Sequence, residues 1–217
     1  MKFLTAGESH GEYLTAILEG FPKGVKIEKK IIDKELSRRK SGAGRGKRMA
    51  IEGDSVNIVS GLRDKVTLGS PITMLIKNKD ARIFTQKADN QHCLCIPRPA
   101  HADLAGSIKY QDKDVRNILE RASARETAAR VCVGSVCKQF LLNFDVRIAS
   151  FVIGLGKITS DKKPKDVSEI ISKTKNSKLN CIDKDKEIII SYFLFRYLLF
   201  YFNILLFYII KILVEKR

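Results

Sequence analysis

Three histidines stand in a chain of 217 residues that carries 40 lysines and arginines, so their surroundings matter. His10 lies in Gly7-Glu8-Ser9-His10-Gly11, a polar loop hinged by glycine at both ends. Imidazole is the one side chain that titrates near neutrality unaided, and glycine lets a backbone approach a ligand closely. Taken alone, the five residues also suit a plain surface turn, because short motifs recur by chance. His101 occupies a second such loop, Pro97-Arg98-Pro99-Ala100-His101-Ala102-Asp103. A third segment, running from Arg39 through Gly42, Gly44, Arg45 and Gly46 to Arg48, sets arginines among glycines. Arg121 and Arg125 are spaced i to i+4, so that one continuous helix would turn both the same way. A guanidinium fork takes phosphate and carboxylate in bidentate fashion, and histidine can pass a proton to a leaving phosphate or to a cofactor nitrogen. The inventory suits a phosphorylated, carboxylated small molecule.

The formal charge of +16 points to a polyanionic partner, and the distribution of charge decides which. Lysines are scattered as on a solvated face, and no aromatic residues interleave the arginines as a base-stacking surface requires, so nucleic acid is set aside. The chain holds no Gly-Lys-Ser/Thr element, which argues against a P-loop nucleotidase. Cys93, Cys95, Cys132, Cys137 and Cys181 repeat no spacing and follow no cleavable N-terminal signal, a pattern that reads as a reducing cytosol. His92-Cys93-Leu94-Cys95 resembles half of a zinc site, but no second ligand pair follows at finger-like spacing, and no metal is expected.

The elements that must position these residues are short at first. Met1 to Ala6 and Leu14 to Glu19 have strand character and place His10 between them. Asp33 to Arg39 has the pattern of a short helix; Val56 to Val59 and Ile72 to Ile76 have that of strands, followed by a polar connection to the His101 loop. From about Asp114 to Phe144 the periodicity predicts one long helix, and its run of small residues from Ala122 to Ala129 permits close approach of a flat ligand or of a packed helix. Val146 to Ile153 returns to strand, and a lysine-rich connection carries one short helix around Val167 to Ile171. From Ile188 to Val214 the chain is almost continuously apolar, long enough for the roughly 20 residues of a membrane span. Arg196 and Asn203 interrupt it. Its near-exclusive use of Phe, Leu, Ile, Tyr, Asn and Lys, whose codons are rich in A and T, favours a shifted reading frame over an anchor.

Four blocks together resemble chorismate synthase. They are Gly7 to Pro22; Arg38-Arg39-Lys40-Ser41-Gly42-Ala43-Gly44-Arg45; Pro97 to Asp103; and Glu120-Arg121-Ala122-Ser123-Ala124-Arg125-Glu126-Thr127-Ala128-Ala129-Arg130 running on to Gly134-Ser135. All four stand in that family's order, and the resemblance extends from Met1 to about Glu187, which divides the chain into an enzyme-like part, 1–187, and a divergent tail, 188–217.

The resemblance implies an α+β fold, a β-α-β sandwich with central helices between antiparallel sheets, incomplete here. It implies 1,4-elimination of phosphate from 5-enolpyruvylshikimate 3-phosphate, giving chorismate, with reduced FMN as cofactor, in a cytoplasmic homotetramer. By similarity His10 is an acid toward the departing phosphate, His101 protonates the reduced flavin near N1, and Ser9 belongs to a relay serving flavin N5. Arg121, Ala122 and Ser123 contact FMN. Arg39, Arg45, Arg48 and Arg125 hold the substrate, Arg39 and Arg45 also meeting NADPH in members that reduce their own flavin. Ala100 replaces a glycine common in relatives, and the family's later half, with an Arg-x-Asp motif and further FMN contacts, has no counterpart here. The expectation is slow turnover or none, and the alternative is a non-catalytic phosphate-ligand-binding or membrane-anchored fragment attached through 188–214.

Overall fold

The computed structural model describes residues 1–42, 51–81, 93–200 and 208–216. The chain divides into two units, one ending at Phe140 and the other built on the segment from Leu141 onward.

The first unit is organised on a four-stranded antiparallel sheet. Strands β1 (Lys2–Ala6), β2 (Tyr13–Glu19), β3 (Val56–Ser60) and β6 (Ile72–Lys77) lie in the order β1-β2-β6-β3, and a small hairpin of β4 (Leu62–Arg63) and β5 (Val66–Thr67) stands apart. Alternation along the strands sends Leu14, Ala16 and Leu18 to the same buried face as Ile72, Met74 and Ile76, which they meet in register. Helix α1 (Lys29–Lys40) covers this face with Ile32 and Leu36, one turn apart. It starts four residues before the expected Asp33.

Two further helices, α2 (Asp103–Tyr110) and α3 (Val115–Ala122), precede a 3-10 turn at Ala124–Glu126 and helix α4 (Thr127–Leu142). The single helix expected from about Asp114 is therefore interrupted, and Ser123 is the reason. Its backbone is extended, its side chain accepts from the Arg125 amide at 3.3 Å, and a serine that bonds its own backbone neighbours competes with the helix ladder. Past the break Ala128, Ala129 and Cys132 pack into the sheet core, so that part of the small-residue run serves close packing, while Ala122 and Ala124 stay exposed. Helix α2 begins at the last residue of the His101 loop, in a stretch before Asp114 to which the sequence pattern assigned no element.

The second unit contains β7 (Val146–Leu155), β8 (Ile158–Thr159), α5 (Val167–Thr174), α6 (Lys184–Phe200) and β9 (Tyr208–Lys216), its sheet ordered β8-β7-β9. Leu155, Leu179, Cys181, Ile190 and Leu194 form one apolar cluster, and Phe151, Ile170 and Ile182 another. Asp183 anchors the loop before α6. Burial pushes its carboxyl up, but hydrogen bonds from Lys162 and Ser160 outweigh that and hold it at about 2. The tail that reads as one apolar run is thus a helix followed by a strand, and no helix among the described residues is long and apolar enough to cross a membrane. Cys93 and Cys95 are joined, whereas Cys132, Cys137 and Cys181 remain thiols.

Candidate active site

The His10 loop is the connection between β1 and β2, whose last pair is Ala6 with Thr15. It opens on Gly7 at φ +96°, where an added Cβ would stand 2.2 Å from the Tyr13 carbonyl oxygen. That glycine therefore serves a close internal approach of two backbone segments, not the approach of a ligand. Beyond it both peptide groups and side chains are held from α3. The Ser9 amide donates to the Glu120 carbonyl at 2.9 Å, the His10 amide donates to Glu120 Oε2 at 2.7 Å, and His10 Nδ1 lies 2.8 Å from Glu120 Oε1. An ionised carboxylate only accepts, so the imidazole carries its proton on Nδ1 and is fixed in orientation. Nε2 lies 4.0 Å from Asp80 Oδ2. Ser9 is fully buried, and its hydroxyl meets that of Ser123 at 2.9 Å. The first and fourth motif blocks are thereby brought into contact.

Behind this loop lies a buried polar cluster. Arg125 donates from Nε to Asn78 Oδ1 at 2.8 Å and from Nη1 to Asp54 Oδ1 at 2.6 Å, and Glu52 Oε2 stands 3.6 Å from Nη2. Arg39 reaches the same aspartate, with Nη1 3.7 Å from Asp54 Oδ2, and donates to Thr127 Oγ1 and the Ala124 carbonyl. Arg39 and Arg125 are 9% and 5% exposed, so they act from behind the site surface as buried charge, Arg125 facing both Asp54 and Glu52 and Arg39 facing Asp54. Arg121 and Arg125 do not face one way. Arg121 remains on α3 and donates to the Gly7 and Thr5 carbonyls, whereas Arg125 lies past the Ser123 break and turns inward. Ala122 is exposed beside Arg121, and Ser123 is half-buried.

His101 stands in a separate network. It pairs through Nδ1 with Asp103 Oδ1, and Arg98 forks onto the same carboxylate with Nε and Nη2 at 2.8 and 2.9 Å. The side-chain hydrogen bonds from Arg98 hold the Asp103 carboxyl well below the usual carboxylate range, against the burial that would raise it. Asp103 is fully buried at the start of α2, so it fixes both Arg98 and the imidazole from below. Arg45 and Arg48 lie outside the described residues, as does His92. Among the described residues no group of three or more His, Cys, Asp or Glu side chains could hold a metal ion.

Residues 1–193 match the family model described as chorismate synthase. The chain belongs to the chorismate synthase family. A chorismate synthase of Brevibacillus brevis is 44% identical over 196 residues, covering 86% of this chain and 51% of that protein. One from Thermoanaerobacter pseudethanolicus is 52% identical over 163 residues, covering 75% of this chain and 46% of the relative. A solved structure described as a crystal structure of chorismate synthase superposes with a TM-score of 0.77 at 37% identity, covering 98% of this chain and 57% of the other. The α+β fold is therefore that of chorismate synthase, and the chain spans about half the length of the curated relatives it matches.

Family membership leaves several residues that sequence reasoning passed over. Glu120 heads the fourth block but attracted no role, although it holds His10 at two points. Asp54, Glu52 and Asn78 lie in stretches with no motif-like spacing at all. Their only sequence sign is position: Asn78 directly follows β6, and Asp54 stands two residues before β3, both at strand ends where polar side chains gather.

Proposed function

We propose that this chain carries the acid and substrate-side portion of a chorismate synthase site. The reaction is 1,4-elimination of phosphate from 5-enolpyruvylshikimate 3-phosphate with reduced FMN. The observation that supports it most is the junction of the Ser9-His10 loop with Glu120 and Ser123, which assembles an oriented imidazole from two distant motif blocks. In this reading His10 reacts as the imidazolium: it passes the Nε2 proton to the departing phosphate and keeps the Nδ1 proton directed at Glu120, which stabilises the orientation. A positioned acid of this kind contributes about 10²- to 10⁴-fold. Arg39 and Arg125 back the anion site from the buried cluster they share with Asp54 and Glu52, Arg45 and Arg48 complete it, and NADPH serves as reductant through Arg39 and Arg45.

The flavin supplies electron density that no side chain offers. Exposed Ala122 and Ala124 flank Ser123 at a helix break, with the Arg121 guanidinium alongside, and this small-residue step beside a cation fits a flat anionic cofactor. Arg121, Ala122 and Ser123 would hold it, with His101 and Ser9 as the proton-bearing groups assigned to it. The setting is a cytoplasmic homotetramer acting on a small phosphorylated substrate, without nucleic acid.

Alone, the 217-residue chain is expected to form chorismate slowly or not at all, since a misplaced or partly enclosed cofactor costs orders of magnitude. The decisive experiment joins residues 1–187 of this chain to the remainder of a full-length relative. Chorismate should form, and His10→Ala in the chimera should slow it by about 10²-fold or more. A chimera indifferent to that change would overturn the assignment of His10.

A further inference from the structure

We propose that Asn78 is a positioning residue for His10, and that Arg125 sets its orientation. The inference rests on His10 as the acid, but it concerns a coupling that can be observed without turnover.

Asn78 follows β6 and is 2% exposed. Its two amide N–H groups serve three carbonyls of one loop, Gly11 at 2.7 Å and, sharing the other N–H, Glu8 at 3.2 Å and Ser9 at 3.3 Å. Its own backbone amide donates to the Glu12 carbonyl at 2.8 Å. One residue therefore turns the carbonyls of the loop inward. The amides of Ser9 and His10 point the other way, to Glu120. Ser9 is gripped on both sides, its C=O by Asn78 and its N–H by Glu120, and the His10 ring is aimed by what this clamp leaves it.

A buried primary amide can flip, exchanging oxygen for nitrogen at little steric cost, and the partners decide which way it points. Here Oδ1 accepts from Arg125 Nε at 2.8 Å. A flipped amide would set its NH₂ against that N–H donor and its oxygen against three carbonyl oxygens. Arg125 is itself held by Asp54 at 2.6 Å, and Arg39 shares that aspartate. A chain of contacts thus runs from both arginines through a single amide to the acid loop. Arg125 acts on His10 through Asn78.

Asn78→Asp tests this at constant shape. It retains an acceptor for Arg125 but replaces the loop's donor with an acceptor, so the arginine arm survives and the loop arm is reversed. In nitrogen-15 spectra the His10 ring signals should move, although Asn78 is not bonded to the ring. Exchange of the Ser9 and His10 amides with solvent should accelerate by about tenfold or more, while the core amides of Ala16 and Met74 keep their protection. Unchanged His10 ring signals and unchanged Ser9 and His10 exchange in a folded variant would overturn the proposal. If the variant does not fold, the unsubstituted protein still decides. The Asn78 side-chain NH₂ protons must exchange at least about tenfold more slowly than those of an asparagine in an unfolded peptide, and exchange at the peptide rate overturns the clamp. A chimera inactive for other reasons leaves both readouts in place.

Discussion

At residue scale the candidate site is built on carboxylates that fix cations and imidazoles in one pose. Asp103 is the clearest case, because its carboxyl is depressed by Arg98 and lies under His101. A carboxyl whose folded pKa is lower than its unfolded value of 3.8 binds its proton more readily in the unfolded chain, so it stabilises the fold above that value and loses this contribution as pH falls through the folded pKa. Asp103→Asn should therefore lower the thermal midpoint at neutral pH, and the gap from the unsubstituted protein should shrink as pH is taken below about 4. Paired melting curves across that range measure it; a gap that stayed constant or widened in acid would contradict the assigned cause. His10 and His101 stand out in the sequence as candidates because histidine is scarce and both sit in loops rich in Gly or Pro. Glu120 does not, since its partner lies 110 positions away and a Glu-Arg pair on a helix usually faces solvent.

Among the elements, one hydroxyl changes how the site is built. Periodicity from Asp114 onward predicts a continuous helix correctly at its start, where Asp114 caps α3 by accepting from the Arg116 amide. It fails at Ser123 because apolar spacing does not register a side chain that bonds its own backbone. The break shapes the candidate site: it separates Arg121 from Arg125 and sets Ser123 Oγ against Ser9. Ser123→Ala would allow α3 and α4 to approach continuity while removing a cap and the partner of a buried hydroxyl. The expected loss is about 1 kcal/mol in urea unfolding, with a change in the Ser9 environment. Equal stability to the unsubstituted protein would show that the break is maintained by packing of Ala128 and Ala129 alone. The sheet was easier to read, because one buried face imposes strict alternation on β2 and β6, and both were placed to within a residue.

Over the whole molecule, the tail is where sequence reasoning diverged most from structure. A strand and a helix that are both apolar leave no periodic mark between them, so residues 188–214 read as one run of the length a bilayer needs. The structure instead uses the beginning as α6, with Ile190 and Leu194 buried against Leu155, and the end as β9. Strand β9 pairs with β7 from Val146 opposite Lys216 to Leu155 opposite Tyr208, whereas β8 reaches only Gly154 and Leu155. Most of β7 therefore has β9 as its one strand neighbour among the described residues. An edge left unpaired presents free N–H and C=O groups and becomes both exchange-prone and adhesive. A chain stopped after Phe200 should lose hydrogen-exchange protection across Val146 to Phe151 by about tenfold or more, and should aggregate at lower concentration. Full protection of β7 in the shortened chain would mean that α5 and α6, not β9, maintain that strand, and the tail would again be open to the anchor reading.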